Sequence, residues 1–156
     1  MKDILQGGKF MVPIILASHG PFCEGLLASL EMIAGPQKNI KTLQLHEGQS
    51  PESYREKLEE LLSGNENNIE TLVLCDLKGG TPYNSVAFIS QKYKLELITG
   101  MNMPMLITLA TIRTENSKIE ELAELAVQVD NTNIERIDFN FKKEKRHEKL
   151  SVNKNR

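Results

Sequence analysis

The sequence predicts an α/β domain: a doubly wound, mainly parallel sheet of four strands with helices on both faces. Three features point there. Short apolar runs rich in Ile, Leu and Val alternate along the chain with longer stretches of helical spacing. Each return to a parallel strand needs a crossover helix, so the resulting βαβαβαβα order is what such a sheet requires. The size fits as well: 156 residues, 40% hydrophobic and 26% charged, make one domain with a real core and are too few for two comfortable ones.

The strand candidates are VPIILAS (residues 12–18), IKTLQLH (40–46), IETLVLC (69–75) and LELITG (95–100), with polar alternation where one face is wetter. The first helical stretch, FCEGLLASLEMIAG, places Leu26, Leu27, Leu30 and Ile33 on one stripe and stops at Gly35 and Pro36. In the second, SPESYREKLEELLSG, Ser50 is the N-cap, Pro51 the first helical residue, and Tyr54, Leu58, Leu61 and Leu62 the apolar face. TPYNSVAFISQKY repeats this start, with Thr81 as N-cap and Pro82 as first helical residue. MPMLITLATIRT and SKIEELAELAVQV supply two more helices.

Composition sets aside several classes. No run approaches the roughly 18 uninterrupted apolar residues of a membrane span, and MKDILQGGKF lacks the apolar core of a secretory signal, so a cytoplasmic location is expected. Cys23 and Cys75 are too few for a disulfide framework and sit in no zinc spacing, so reduced thiols and no metal site are expected. Neither GxxxxGK[ST] nor GxGxxG occurs, so no nucleotide or other cofactor is expected. The net charge of −2 conceals an asymmetry: residues 142–156 hold seven Lys or Arg against two Glu, leaving 12 basic and 19 acidic residues in 1–141. This basic tail lacks interleaved aromatics and an apolar face, so it reads as solvated rather than as a nucleic-acid contact. Residues 1–10, with Gly7 and Gly8, read as a loose lead-in.

Ligands of parallel sheets bind beyond the carboxyl ends of the strands, where the winding reverses. His19 lies just past the first strand and CDLKGGTP (75–82) ends the third, so both belong to one rim. A carboxylate at Asp76 facing the His19 imidazole would accept one ring N–H, set the tautomer and leave the other nitrogen's lone pair free, as a nucleophilic histidine requires. Gly79 and Gly80 allow close backbone approach, and with Thr81 at a helix N-terminus they offer N–H groups suited to a phosphoryl anion. Ser18 and Asn102 stand near strand ends, where each could donate to the same group, whereas His46 reads as a surface loop residue. From these residues alone the plainer alternatives stay open: a tight strand-to-helix turn, a satisfied structural histidine and a loop-capping aspartate. Cys23 reads as a packed thiol because no second base accompanies it.

Three separated motifs, ILASHGPFCEGLLASLEMIAG, CDLKGGTPYNSV and ITGMNMPML, together resemble the IIA domain of the mannose-family sugar phosphotransferase system. The resemblance covers roughly residues 11–130 and implies a domain over 11–141. It implies a phosphotransferase acting as a phosphoryl carrier. His19 would take phosphate from the phosphocarrier protein HPr and pass it to a IIB component, which phosphorylates sugar during uptake through the membrane IIC/IID complex. On the same match Asp76 is the orienting aspartate, and Gly79, Gly80 and Thr81 line the phosphoryl pocket, with Ser18 beside it. A homodimer that exchanges a C-terminal antiparallel strand is also implied. NIERIDFNF (133–141), with Ile134, Ile137, Phe139 and Phe141 alternating, is the candidate for that strand.

Position 78, usually a large apolar residue in the family, is Lys here, which bears on partner choice. The IIB unit, often fused in relatives, is expected on a separate chain. The phosphotransferase-type subunit of dihydroxyacetone kinase resembles the same motif around His19 and is the alternative within the fold. An anion-binding module built on the same sheet is the alternative from another class.

Overall fold

The computed structural model describes residues 10–64, 69–128, 134–137 and 139. Its elements follow the predicted order: β1 (Ile14–His19), α1 (Phe22–Ala34), β2 (Ile40–Leu45), α2 (Pro51–Ser63), β3 (Thr71–Cys75), α3 (Thr81–Ile89), β4 (Leu95–Thr99), α4 (Met103–Ile112) and α5 (Ile119–Ala126). The strands lie in the order β2-β1-β3-β4 and every pairing is parallel. From β1 the chain steps to β2 on one side, then crosses back over β1 to β3 on the other. Right-handed crossovers turn that reversal into a change of face. Ile14 and Leu16 of β1 accordingly pack with α1, α4 and α5, and Ile15 and Ala17 with α2 and α3. The winding therefore reverses between β1 and β3, whose carboxyl ends carry His19 and Asp76.

Burial grades outward from these two strands. All of β3 and the first five residues of β1 are buried, whereas β2 and β4 are mostly half-buried edges. α2 forms as its sequence predicts: Ser50 Oγ accepts the Ser53 N–H at 3.1 Å, Pro51 opens the helix, and Tyr54, Leu58 and Leu62 are buried with Leu61 beside them. Burying the Tyr54 ring requires a partner for its hydroxyl, which donates to the Leu43 carbonyl at 3.0 Å. Among the described residues no helix is long and apolar enough to cross a membrane.

Four local expectations change. In α1 the buried stripe runs through Cys23, Leu26 and Leu30, and Ile33 is 63% exposed, because the last turn extends past the packed face. Gly80, not Thr81, is the N-cap of α3, so Thr81 and Pro82 both lie inside the first turn. α3 also ends at Ile89, whose carbonyl receives the N–H groups of Lys92 and Tyr93 in a turn. Finally, the C-terminal strand is absent from the described residues of 133–141: residues 134–137 have no regular structure, and Ile134 and Phe139 are 89% and 77% exposed. An exchanged strand has nothing to pair with in one chain. Residues 1–9 of the lead-in, residues 133, 138, 140 and 141, and the tail 142–156 lie outside the described residues.

Candidate functional site

His19 is the last residue of β1 rather than the first beyond it, and it pairs with Leu45 of β2. On its other side β3 ends at Cys75, and the Asp76 N–H extends the ladder by donating to the Ala17 carbonyl at 3.2 Å. The ladder thus carries the Asp76 carboxylate to the histidine. Oδ2 lies 2.9 Å from His19 Nδ1 and also accepts the His19 backbone N–H at 2.9 Å, while Oδ1 accepts the Leu77 N–H at 2.8 Å. An ionised carboxylate can only accept, so Nδ1 is the donor of this pair, and a ring carrying a single proton then keeps its lone pair on Nε2. Nε2 has no partner among the described residues, and the ring is 45% exposed against 17% for Asp76. An imidazole oriented through one nitrogen, with the other open to solvent, has the geometry that a nucleophilic histidine requires.

The glycine loop supplies the floor under the ring. A Cβ on Gly80 would collide with His19 Cε1 and lie 2.9 Å from Nε2, so only glycine lets the ring settle against this backbone. Gly79 has φ of +84°, a conformation that turns the chain from β3 into α3 and that other residues adopt only with strain. The first-turn N–H groups of Gly80, Thr81 and Tyr83 have no acceptor among the described residues, and Asn84 ties the loop by donating to the Gly79 carbonyl at 3.0 Å. Free N–H groups at a helix N-terminus, next to Nε2, suit an anion.

Other candidate residues are brought near the rim but committed elsewhere. Ser18 is fully buried, and its hydroxyl donates to the Gly20 carbonyl at 3.0 Å while accepting the Cys23 N–H at 2.9 Å. It braces the turn into α1, and its proton is taken. Asn102 caps α4, accepting the Met105 N–H at 3.0 Å and donating to the Gly100 carbonyl at 3.1 Å. His46 is an exposed loop residue beside Gln44. Cys23 and Cys75 are buried free thiols on opposite faces of the sheet. Desolvation raises both pKa values, that of Cys75 to about 12, which leaves neither as a thiolate nucleophile at neutral pH. Sequence reasoning missed two exposed apolar neighbours of the site, Phe22 at 46% and Leu77 at 61%. Their signal was position alone: each lies within three residues of His19 or Asp76.

The His19 ring stands partly open to solvent at the rim. Concavities of about 300 Å³ occur at the amino end of the sheet, lined by Pro13 and Asn39 among others, and between α2 and α3, but neither includes His19 or Asp76. Comparison with known proteins bears on the fold and the family. The family described as "PTS system fructose IIA component" matches residues 13–127. The fructose-specific EIIA component of the phosphotransferase system of Bacillus subtilis is 32% identical over 104 residues, 66% of this chain and 71% of that protein. The mannose-specific EIIAB component of Escherichia coli K12 is 31% identical over 118 residues, 75% of this chain but 36% of that longer protein. The solved mannose/sorbose-specific IIA subunit of Enterococcus faecalis superposes with a TM-score of 0.74 at 33% identity, covering 83% of this chain and 96% of that one. A match over so much of the sequence makes the chain a member of the EIIA-man family of phosphotransferase-system components.

Proposed function

We propose that the protein is a phosphoryl carrier that accepts phosphate from phosphorylated HPr on His19 and donates it to a IIB component in sugar uptake. The observation that carries this reading is the pair His19 and Asp76: Nδ1 held at 2.9 Å by a carboxylate, Nε2 free and exposed. In the forward step the P–N bond to the donor histidine breaks as the bond from Nε2 to phosphorus forms, and the reverse geometry serves the IIB acceptor. The phosphorylated ring takes on cationic character, so its charge-assisted bond to Asp76 strengthens to about 1.5–3 kcal/mol. Gly80, Thr81 and Tyr83 offer N–H groups to the phosphoryl oxygens, and the Thr81 side chain stands beside them in the same turn. Ser18 acts by holding the turn.

A shallow reactive rim suits transfer between proteins better than capture of a small molecule, which favours an enclosing pocket. Phe22 and Leu77, exposed beside the histidine, are surfaces for such docking. Incubation of the full chain with phosphoenolpyruvate, enzyme I and HPr should place one acid-labile phosphoryl group on His19, discharged by a IIB protein. Failure to label with fully charged HPr overturns the reading. The homodimer belongs to the same proposal, through exchange of residues 133–141. Deleting 133–156 should abolish the sedimenting dimer, and deleting 142–156 should not; a full-length monomer removes the exchange.

A further inference from the structure

Among the described residues, the loops and first helical turns at the carboxyl end of the sheet are poor in cations. Glu24 of α1, Glu47 after β2, Glu52 of α2 and Asp76 bring carboxylates, with His46 and Tyr83 on the same rim. Among the described residues two cations accompany them, Arg55 and Lys78. Arg55 is already paired, 2.7 Å from Glu52 and stacked over Phe88. Lys78 is exposed and has no ion-pair or hydrogen-bond partner among the described residues, whereas Lys92, Lys94 and Lys118 are held by Glu59, Glu70 and Glu121. Its place is specific. The loop from Asp76 to Gly80 grips the His19 ring at both ends, through the Asp76 carboxylate and the Gly80 backbone. Lys78 lies midway between them. Two residues of chain span at most about 7 Å, and lysine carries its ammonium on a flexible four-carbon stem, so a group on Nε2 is within its reach.

A phosphoryl group would bring about 1.5 to 2 negative charges to this rim. Asp76 stabilises the phosphorylated ring but repels the phosphoryl oxygens, as do the neighbouring glutamates. We propose that Lys78 is the counter-ion of the phosphoryl group on His19, favouring the loaded carrier over the free one. This rests on the phosphocarrier reading above. An ammonium acts as a point charge, so arginine at the same position retains the effect and added salt weakens it.

Phosphorus NMR of the full chain loaded with phosphoramidate tests this without a partner protein. The reagent's P–N bond breaks as the bond from Nε2 to phosphorus forms, and ammonia leaves. The phosphoryl resonance of Lys78→Met and Lys78→Gln should titrate a few tenths of a unit higher than that of the native chain. Lys78→Arg should titrate like the native chain, and the gap should close near 1 M salt. At equilibrium with phosphorylated HPr in low salt, Lys78→Met should load about three- to tenfold less favourably. Titration and loading unchanged in both neutral variants overturn the role of Lys78. A native chain with no phosphoimidazole signal overturns the phosphocarrier reading instead, and with it this one.

Discussion

His19 at one end of the sheet and Arg113 at the other each join distant segments, and they are held in opposite ways. At the carboxyl end His19 is gripped by a carboxylate and left 45% open to solvent. At the amino end Arg113, which caps α4, is 5% exposed and held by backbone carbonyls alone. Its Nη1 donates to Val12 at 2.6 Å and Asn39 at 3.2 Å, and its Nη2 to Lys38 at 2.6 Å, pinning α4 to the start of β1 and the approach to β2. Desolvation lowers the guanidinium pKa to about 10, which still leaves it charged at neutral pH. The difference lies in what remains unpaired. Arg113 leaves a buried Nε with no partner among the described residues; His19 leaves an exposed Nε2. The spare nitrogen of the charged guanidinium is an N–H donor with no lone pair to offer, whereas the spare nitrogen of an imidazole can hold one, and at His19 it is open to solvent.

The sharpest test of that contrast is His19→Ala. Labelling from phosphorylated HPr should vanish, while thermal or denaturant unfolding should shift by no more than about 0.5 kcal/mol, because an exposed ring contributes little packing. A folded His19→Ala chain that still takes up phosphate on this rim breaks the comparison. Asp76→Asn comes next. The amide cannot reproduce a carboxylate that accepts both the ring N–H and two backbone N–H groups, and it withdraws the negative charge that favours the phosphorylated ring. Transfer in both directions should slow about 100-fold, measured by rapid-quench labelling of a chain whose circular dichroism is native. Unchanged rates would return Asp76 to the status of a loop cap.

The same contrast explains what the sequence made legible. His19 and Asp76 could be placed on one rim because element order and strand ends are written locally: buried runs such as PIILAS and TLVLC, each followed at once by its polar residue. Arg113 left no such trace. Its acceptors are carbonyls 74 to 101 residues away, and any residue type can offer a carbonyl. Ser18 was visible as a hydroxyl near the rim, but whether that hydroxyl was free depended on Gly20 and Cys23 meeting around it. The strand expected from Ile134, Ile137 and Phe139 would, under the exchange proposed above, need a second chain, so alternation alone could suggest it without forming it.

Arg113→Met sharpens the structural half of the comparison. Methionine fills much of the volume but leaves the carbonyls of Val12 and Lys38 without their donor in a buried setting, so the folded state should lose about 2 kcal/mol or more, read from urea unfolding. Phosphoryl transfer per folded molecule should be unchanged at a temperature where the variant is native. Slower transfer from a fully folded variant would mean that the two ends of the sheet are coupled.

The smallest expected effect is Gly80→Ala, and it separates geometry from stability within the site itself. The Gly80 backbone, at φ −76° and ψ 172°, is one that alanine adopts freely, and the substitution lowers the entropy of the unfolded chain, so stability should hardly change. The new methyl, however, would occupy the space of His19 Cε1 and stand 2.9 Å from Nε2, so either the ring swings away from Asp76 or the loop retreats. Both outcomes misalign the nucleophile. A displacement of this size should slow phosphoryl uptake about tenfold. Gly79→Ala provides the opposite case: its Cβ would meet nothing within 4 Å, but φ of +84° strains the backbone by about 1 kcal/mol, so stability should fall while the ring keeps its place. Paired measurements of transfer rate and unfolding free energy on the two variants decide the point. If Gly80→Ala transfers at the native rate, the ring does not depend on this floor, and Asp76 alone positions it.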